Sequence, residues 1–214
     1  MIEAIIFDLD GVLIDSEHAW DEVREELARE RGGRWHERAQ ADMMGMSSVE
    51  WARYMHDVIG LSGSPEEISD EVVRRMLARY AEELPLIDGA VDSVRRLAGS
   101  FRLALASSSN REIIDAVLEE AGLAEVFEVT VSSEEVARGK PAPDVFLETA
   151  RRLSVAPECC AAIEDSGNGI RAAHAAGMRV IAIPNRRYRP SEDELKLAEA
   201  TLDSIAGLDV SVLS

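Results

Sequence analysis

From residue 89 onward the chain alternates between helical and extended patterning, and few folds accommodate that alternation. Helical spacing over 89–98 precedes the apolar run Leu103-Ala104-Leu105-Ala106, and a helix over 112–121 leads to Val129-Thr130-Val131. A helix over 144–153 then precedes Cys160-Ala161-Ala162-Ile163, and one over 169–176 precedes Arg179-Val180-Ile181-Ala182-Ile183. Short apolar runs separated by helices predict a parallel sheet covered on both faces. A further apolar run near the start, Ala4-Ile5-Ile6-Phe7, must join that sheet, because a lone strand leaves its backbone groups unsatisfied.

Between this first strand and residue 89 the pattern is helical. Ser16-Glu17 opens a helix through Trp20, Val23, Leu27 and Ala28 that Gly32-Gly33 ends. A second helix fits 47–59 and stops at Gly60, and a third starts at Ser64-Pro65 with serine as cap and proline in the first turn. The block over 16–85 is therefore expected as an α-helical lid inserted into a core of residues 1–15 and 86–214. Its hinges would lie near 13–16 and 83–87.

Composition narrows the partners. A net charge of -18 opposes nucleic acid and anionic membranes. No run approaches the roughly 20 apolar residues of a membrane span, and the N-terminus enters the first strand without a basic, apolar leader, so a cytoplasmic protein is expected. Cys159 and Cys160, adjacent in an apolar run, fit buried strand residues better than a disulfide or a zinc site.

Four strand ends carry polar residues able to do chemistry, and open parallel sheets bind ligands at that end. Asp8 and Asp10 flank Leu9 where the first strand meets Gly11. Positions two apart on a strand face the same way, so both carboxylates would reach one pocket, and their mutual repulsion calls for a shared proton or a cation. The second strand ends in Ser107-Ser108-Ser109-Asn110, hydroxyls and an amide that either hold an anion or cap the next helix. Lys140 lies in Gly139-Lys140-Pro141-Ala142-Pro143-Asp144 and is one of only two lysines among 23 basic residues, the other being Lys196. A compact ammonium there can touch a carboxylate and a phosphate oxygen together. The fourth strand ends in Glu164-Asp165-Ser166-Gly167, where adjacent acids suit a hard metal ion, or where Asp165 or Ser166 caps the next helix.

Taken together these motifs resemble the haloacid dehalogenase superfamily, in its branch of capped phosphatases and β-phosphoglucomutase-like enzymes. Phe7-Asp8-Leu9-Asp10-Gly11-Val12, Leu105-Ala106-Ser107-Ser108-Ser109, Gly139-Lys140-Pro141-Ala142-Pro143-Asp144 and the run from Glu164 to Met178 match its four motifs in order, across essentially the whole chain. The resemblance implies a Rossmann-like, doubly wound core with an inserted helical cap, a bound Mg2+ ion and phosphoryl transfer through an aspartyl-phosphate. Carried onto this chain it makes Asp8 the nucleophile and Asp10 the general acid and base. Metal binding falls to Asp8, Asp10 through its carbonyl, Asp165 and Glu164, and the phosphoryl group to Ser107, Ser108 and Lys140. An acid at position 10 sets the chain apart from the dehalogenases themselves.

The cap selects the substrate. β-Phosphoglucomutases carry basic residues near the position of Met44-Gly45-Met46-Ser47-Ser48, a histidine where Trp20 stands and a lysine where Asn110 stands. A mutase must retain a doubly phosphorylated sugar, and losing cationic grip favours its escape. Hydrolysis of a small phosphorylated metabolite, a sugar or polyol phosphate, is accordingly expected, with sugar phosphomutase as the alternative and a phospho-acceptor switch as the non-enzymatic one. Asp10 argues against a switch, since a general base speeds loss of the phosphoryl group. Glu17, His18, Trp20, Met46, Ser47, Trp51 and Asn110 are the candidates for contact with the leaving group. A monomer or weak homodimer is expected.

Overall fold

The computed structural model describes residues 1–44 and 46–213. Six strands, β1 (Ala4–Phe7), β2 (Arg102–Ser107), β3 (Val129–Ser132), β4 (Cys160–Glu164), β5 (Arg179–Ala182) and β6 (Ala200–Thr201), form one sheet. Their order is β3-β2-β1-β4-β5-β6 and every neighbouring pair is parallel. This is the doubly wound, Rossmann-like order, and the reversal between β1 and β4 opens a crevice beside the end of β1.

The central strands β1, β2 and β4 are buried on both faces, and the side-chain period of two sorts their residues into two cores. Ile5, Phe7, Leu103, Leu105 and Ile163 face one side, packing with Val94 and Leu97 of α5 (Ala90–Ala98) and Ile113 and Val117 of α6 (Arg111–Glu120). Ala4, Ile6, Ala104, Ala106, Cys160 and Ala162 face the other, against α7 (Asp144–Leu153) and α8 (Gly167–Ala175).

Between β1 and α5 the chain forms α1 (Glu17–Glu30), α2 (Ala39–Met43), α3 (Ser48–Tyr54) with a π-helical turn at Met55–Ile59, and α4 (Pro65–Glu82). The start of α4 has the chemistry read from sequence. Ser64 N–H donates to Glu67 Oε2 (2.8 Å) and Glu67 N–H to Ser64 Oγ (3.2 Å), a reciprocal cap with Pro65 in the first turn. The buried sides of these helices, with Trp20, Val23, Leu27, Ile68, Val72 and Met76, continue the core on the Ile5 and Phe7 side of the sheet. Entry and exit run side by side: Asp15 N–H donates to Pro85 O (2.8 Å) and Ile87 N–H to Leu13 O (3.0 Å). The helical cap is thereby held over the carboxyl ends of β1, β2 and β4.

Candidate active site

Asp8 continues the parallel ladder one residue past β1, its N–H donating to Ile163 O at 3.0 Å. The chain then doubles back, with the Leu13 and Ile14 N–H groups both on Leu9 O (2.8 and 3.2 Å) and Gly11 at φ 79°. Glycine is required there twice over. Its φ is left-handed, and a β-carbon would lie 2.0 Å from Asp165 Oδ2.

Lys140 ties three strand ends together. Its Nζ donates to Asp8 Oδ1 (2.7 Å) after β1, to Ala106 O (3.1 Å) in β2 and to Glu164 Oε1 (2.6 Å) at the end of β4, so all three ammonium protons are placed. Glu164 Oε2 in turn accepts from Asp165 N–H (3.2 Å) and Ser166 Oγ (3.2 Å), and Asp165 Oδ2 accepts from Asn185 Nδ2 (3.2 Å). Gly169 leaves room for the Glu164 carboxylate, which a β-carbon there would meet at 2.0 Å.

One ammonium faces three buried carboxylates. Oxygens of Asp8, Glu164 and Asp165 lie within 4.8 Å of one another. Burial raises Asp8 to about 8 against the opposing pull of Lys140, and burial with Glu164 nearby raises Asp165 well above the carboxylate range. Burial works against the Lys140 ammonium, yet Asp8 and Glu164 outweigh it and hold the group above the ordinary lysine range. The lysine stays charged, and Asp8 and Asp165 are held towards their protonated forms where no cation is present. An all-oxygen set of three buried carboxyls fits a hard divalent cation, which would take the place of those protons.

Asp10 occupies different surroundings. Its Oδ1 accepts from Ser16 Oγ (2.6 Å) and Trp20 Nε1 (2.9 Å), and its Oδ2 from Ser109 Oγ (2.6 Å). Two carboxylates two residues apart therefore have separate partners, one a buried lysine and the other two hydroxyls and an indole.

A cavity of about 60 Å³ lies over this centre. The sheet side contributes Asp8, Asp10, Ser108, Ser109, Lys140, Asp165 and Ser166, and the cap contributes Glu17, Trp20, Arg24, Gln40, Met43, Met44 and Met46. Among the cap residues singled out from sequence, Glu17, Trp20 and Met46 reach the cavity. His18 does not, standing exposed on the outer face of α1 beside Glu22 (3.2 Å). Ser47 caps α3 by accepting from Glu50 N–H (3.4 Å), Trp51 is buried in the cap interior, and Asn110 donates to Glu134 (2.8 Å) at the edge between cap and sheet. Ser107 is fully buried below the lining, its Oγ accepting from Ser109 N–H at 3.0 Å. Gly45, within the cap segment compared with the mutases, lies outside the described residues.

Sequence reasoning read Ser109 only within an anion-holding or capping run and Ser16 only as a helix start, not as partners of Asp10, and it missed Asn185, Arg24 and Gln40. Arg24 had a legible signal: it sits on the stripe formed by Trp20, Val23 and Leu27, where an amphipathic helix carries apolar residues. Gln40 had none, being a polar residue in a five-residue helix whose buried side no periodicity reveals.

A doubly wound sheet with a carboxylate and lysine centre under a helical cap defines a hydrolase of the phosphoryl-transfer type. The chain belongs to the haloacid dehalogenase-like hydrolases, whose family model matches residues 2–177. It is 31% identical to hexitol phosphatase B of Escherichia coli K12, over 97% of this chain and 94% of that protein. With the bifunctional riboflavin kinase/FMN phosphatase of Arabidopsis thaliana it shares 33% identity over 85% of this chain, which spans only 48% of that longer protein. The crystal structure of CbbY from Rhodobacter sphaeroides in complex with phosphate superposes with a TM-score of 0.85 at 32% identity, covering 97% of this chain and 96% of that one.

Proposed function

We propose that this protein is a magnesium-dependent phosphatase that hydrolyses a small sugar or polyol phosphate through an aspartyl-phosphate on Asp8. The observation that carries the reading is the division of labour between the two aspartates. Asp8 lies against Lys140 in the acidic cluster, and Asp10 is held apart by Ser16, Trp20 and Ser109. Groups with different surroundings can take different roles in one reaction. The relationship to hexitol phosphatase B supports the substrate class.

In this mechanism the Asp8 carboxylate attacks phosphorus while the bond to the leaving oxygen breaks, and Asp10 gives that oxygen its proton. Asp10 then takes a proton from the water that attacks phosphorus as the bond between phosphorus and the Asp8 oxygen breaks, which frees phosphate, returns Asp8 to its carboxylate and returns Asp10 to its protonated form. Ser108 and Lys140 hold the phosphoryl oxygens from the cavity lining, with Ser107 in support from beneath it through the Ser109 N–H, and positioning and charge stabilisation supply most of the catalysis. Asp8, the Asp10 carbonyl and Asp165, with Glu164 in support, would hold magnesium, which when bound would supply positive charge to the transferring group. Residues 1–15 and 86–214 form the catalytic core and 16–85 the cap that admits and covers the substrate. The protein acts in the cytoplasm as a monomer or weak homodimer.

The test is phosphate release from a panel of sugar, polyol and nucleotide monophosphates with and without Mg2+. Asp8→Asn is expected to abolish release and Asp10→Asn to slow it by roughly 100-fold or more, the scale of a lost general acid and base. Normal turnover by Asp8→Asn sinks the mechanism. Efficient conversion of β-glucose 1-phosphate to glucose 6-phosphate with a bisphosphate primer replaces hydrolysis with the mutase reading.

A further inference from the structure

The buried face of α1 presents a guanidinium to the catalytic cavity. Arg24 is 5% exposed. Its Cζ lies 4.5 Å from the centre of the Trp20 ring and 4.6 Å from that of Trp51, so two indoles fix its plane. Nη1 donates to Gln40 Oε1 (3.1 Å), and Gln40 Nε2 donates onward to Glu17 Oε2 (3.1 Å). Nε is buried without a hydrogen-bond partner. Buried donors are almost always satisfied, so an unmatched N–H on a guanidinium that lines a cavity leaves hydrogen-bonding capacity unspent there. Arg24, Gln40 and Glu17 all line the cavity above Asp8 and Asp10, on the side where a leaving group must lie when its phosphoryl group is on Asp8.

We propose that Arg24, oriented by the two indoles and by Gln40, reads a hydroxyl of the leaving group, donating to its oxygen while Glu17 accepts from a hydroxyl hydrogen. This assigns the cap's selectivity to a neutral polyhydroxylated leaving group, and it rests on the phosphatase reading above. A hydroxyl is both donor and acceptor, and the cap offers both within one linked set of side chains. An added acid group meets the opposite balance, since Asp8, Asp10, Asp165 and Glu17 line the cavity against two cations, Lys140 and Arg24. An apolar leaving group satisfies Met43, Met44 and Met46 but leaves the guanidinium unmatched, and sites built for hydroxyls reject analogues that lack them.

Two matched pairs of esters test the proposal: glycerol 1-phosphate against propyl phosphate, and sorbitol 6-phosphate against 6-phosphogluconate. p-Nitrophenyl phosphate serves as a general measure of turnover. The wild-type protein is expected to favour glycerol 1-phosphate and sorbitol 6-phosphate in kcat/KM. Arg24→Met and Arg24→Lys are expected to cut the glycerol-to-propyl ratio by roughly 10- to 100-fold, the worth of a charge-assisted hydrogen bond. Gln40→Met, which removes the orienting amide, should cut it by less. A ratio between two esters in one preparation is independent of how much of a variant folds. An unchanged ratio in Arg24→Met overturns the proposal, and so does a preference for 6-phosphogluconate, which would assign Arg24 to an anionic group instead. Turnover of p-nitrophenyl phosphate with flat ratios removes this inference alone, whereas no turnover of any ester removes the phosphatase reading with it.

Discussion

Glu17 is the acid in the cap whose environment most resists its charge. Burial first of all, with Asp10 and Asp15 adding repulsion, raises it to about 7, although Gln40 and Arg24 oppose the shift. A carboxyl raised in the folded state binds more protons there than in the unfolded chain, so stability falls as pH rises from about 4.5 to about 7 and the full cost is present above that. Glu17→Gln, which keeps an acceptor for Gln40 Nε2, is therefore expected to stabilise the protein at pH 8 by up to about 3 kcal/mol. The gain should shrink towards zero near pH 5, as read by thermal melts of both proteins across that range. A gain independent of pH would show that the carboxylate is not strained. The same contrast governs what could be read from the chain. Asp8, Glu164 and Asp165 were legible because strand ends in a parallel sheet converge whatever the side chains do, and Lys140, in the loop before α7, because a lysine just ahead of two prolines stands out in a chain with only two lysines. Arg24 and Gln40 come together only through the packing of α1 against α2, which depends on how indoles and methionines fill a particular space.

At the scale of elements, the strands and the longer helices were legible because their apolar periods run over several residues. α2, β6 and α9 (Glu192–Leu195) are five, two and four residues long and carry no period to detect. The ties that close the cap were equally hidden, because they join residues far apart in the chain. Glu134, in the turn after β3, accepts from Ser48 Oγ at the start of α3 (2.9 Å), from Asn110 Nδ2 (2.8 Å) and from Arg111 N–H (2.9 Å). On another side Asn168 Nδ2 donates to Met44 O (2.7 Å), and Arg187 reaches Asp21 (3.2 Å). The cavity lies beneath these ties. Any movement of the cap that breaks these ties would turn on the paired connections at Leu13, Asp15, Pro85 and Ile87. Ser48→Ala combined with Asn168→Ala removes two of the ties and should shift the balance towards the open form by about five-fold, at about 1 kcal/mol for the net effect. Faster limited proteolysis at the connection over 83–87 is the expected outcome. A cleavage rate equal to that of the wild type would show that apolar packing alone holds the cap down.

For the whole molecule, charge is the dominant property. With 41 acidic residues against 23 basic ones, the -18 balance persists even when every arginine and lysine finds a carboxylate. Ion pairs such as Lys196 with Asp193 and Arg102 with Glu128 are exposed, and pairs of that kind contribute little individually. Salt weakens those pairs and also screens the repulsion among the unpaired acids. Because the repulsion is summed over the molecule and the pairs are individually weak, screening should win. The melting temperature is expected to rise as sodium chloride increases from about 0.05 to about 0.5 M, over which the screening length falls from beyond about 10 Å to a few ångströms. A falling melting temperature would mean that the exposed pairs matter more than the excess charge. Magnesium would add a second effect of different form, since an ion held at Asp8, Glu164 and Asp165 would bind only the folded chain and stabilise it in proportion to the logarithm of ligand concentration above Kd. At constant high sodium chloride, millimolar MgCl2 should therefore still raise the melting temperature of the wild type. It should raise that of Asp165→Asn far less, because the substituted amide offers only a neutral carbonyl where the cluster has a carboxylate. Equal responses from the two proteins would assign the magnesium effect to general screening and remove the metal from the centre.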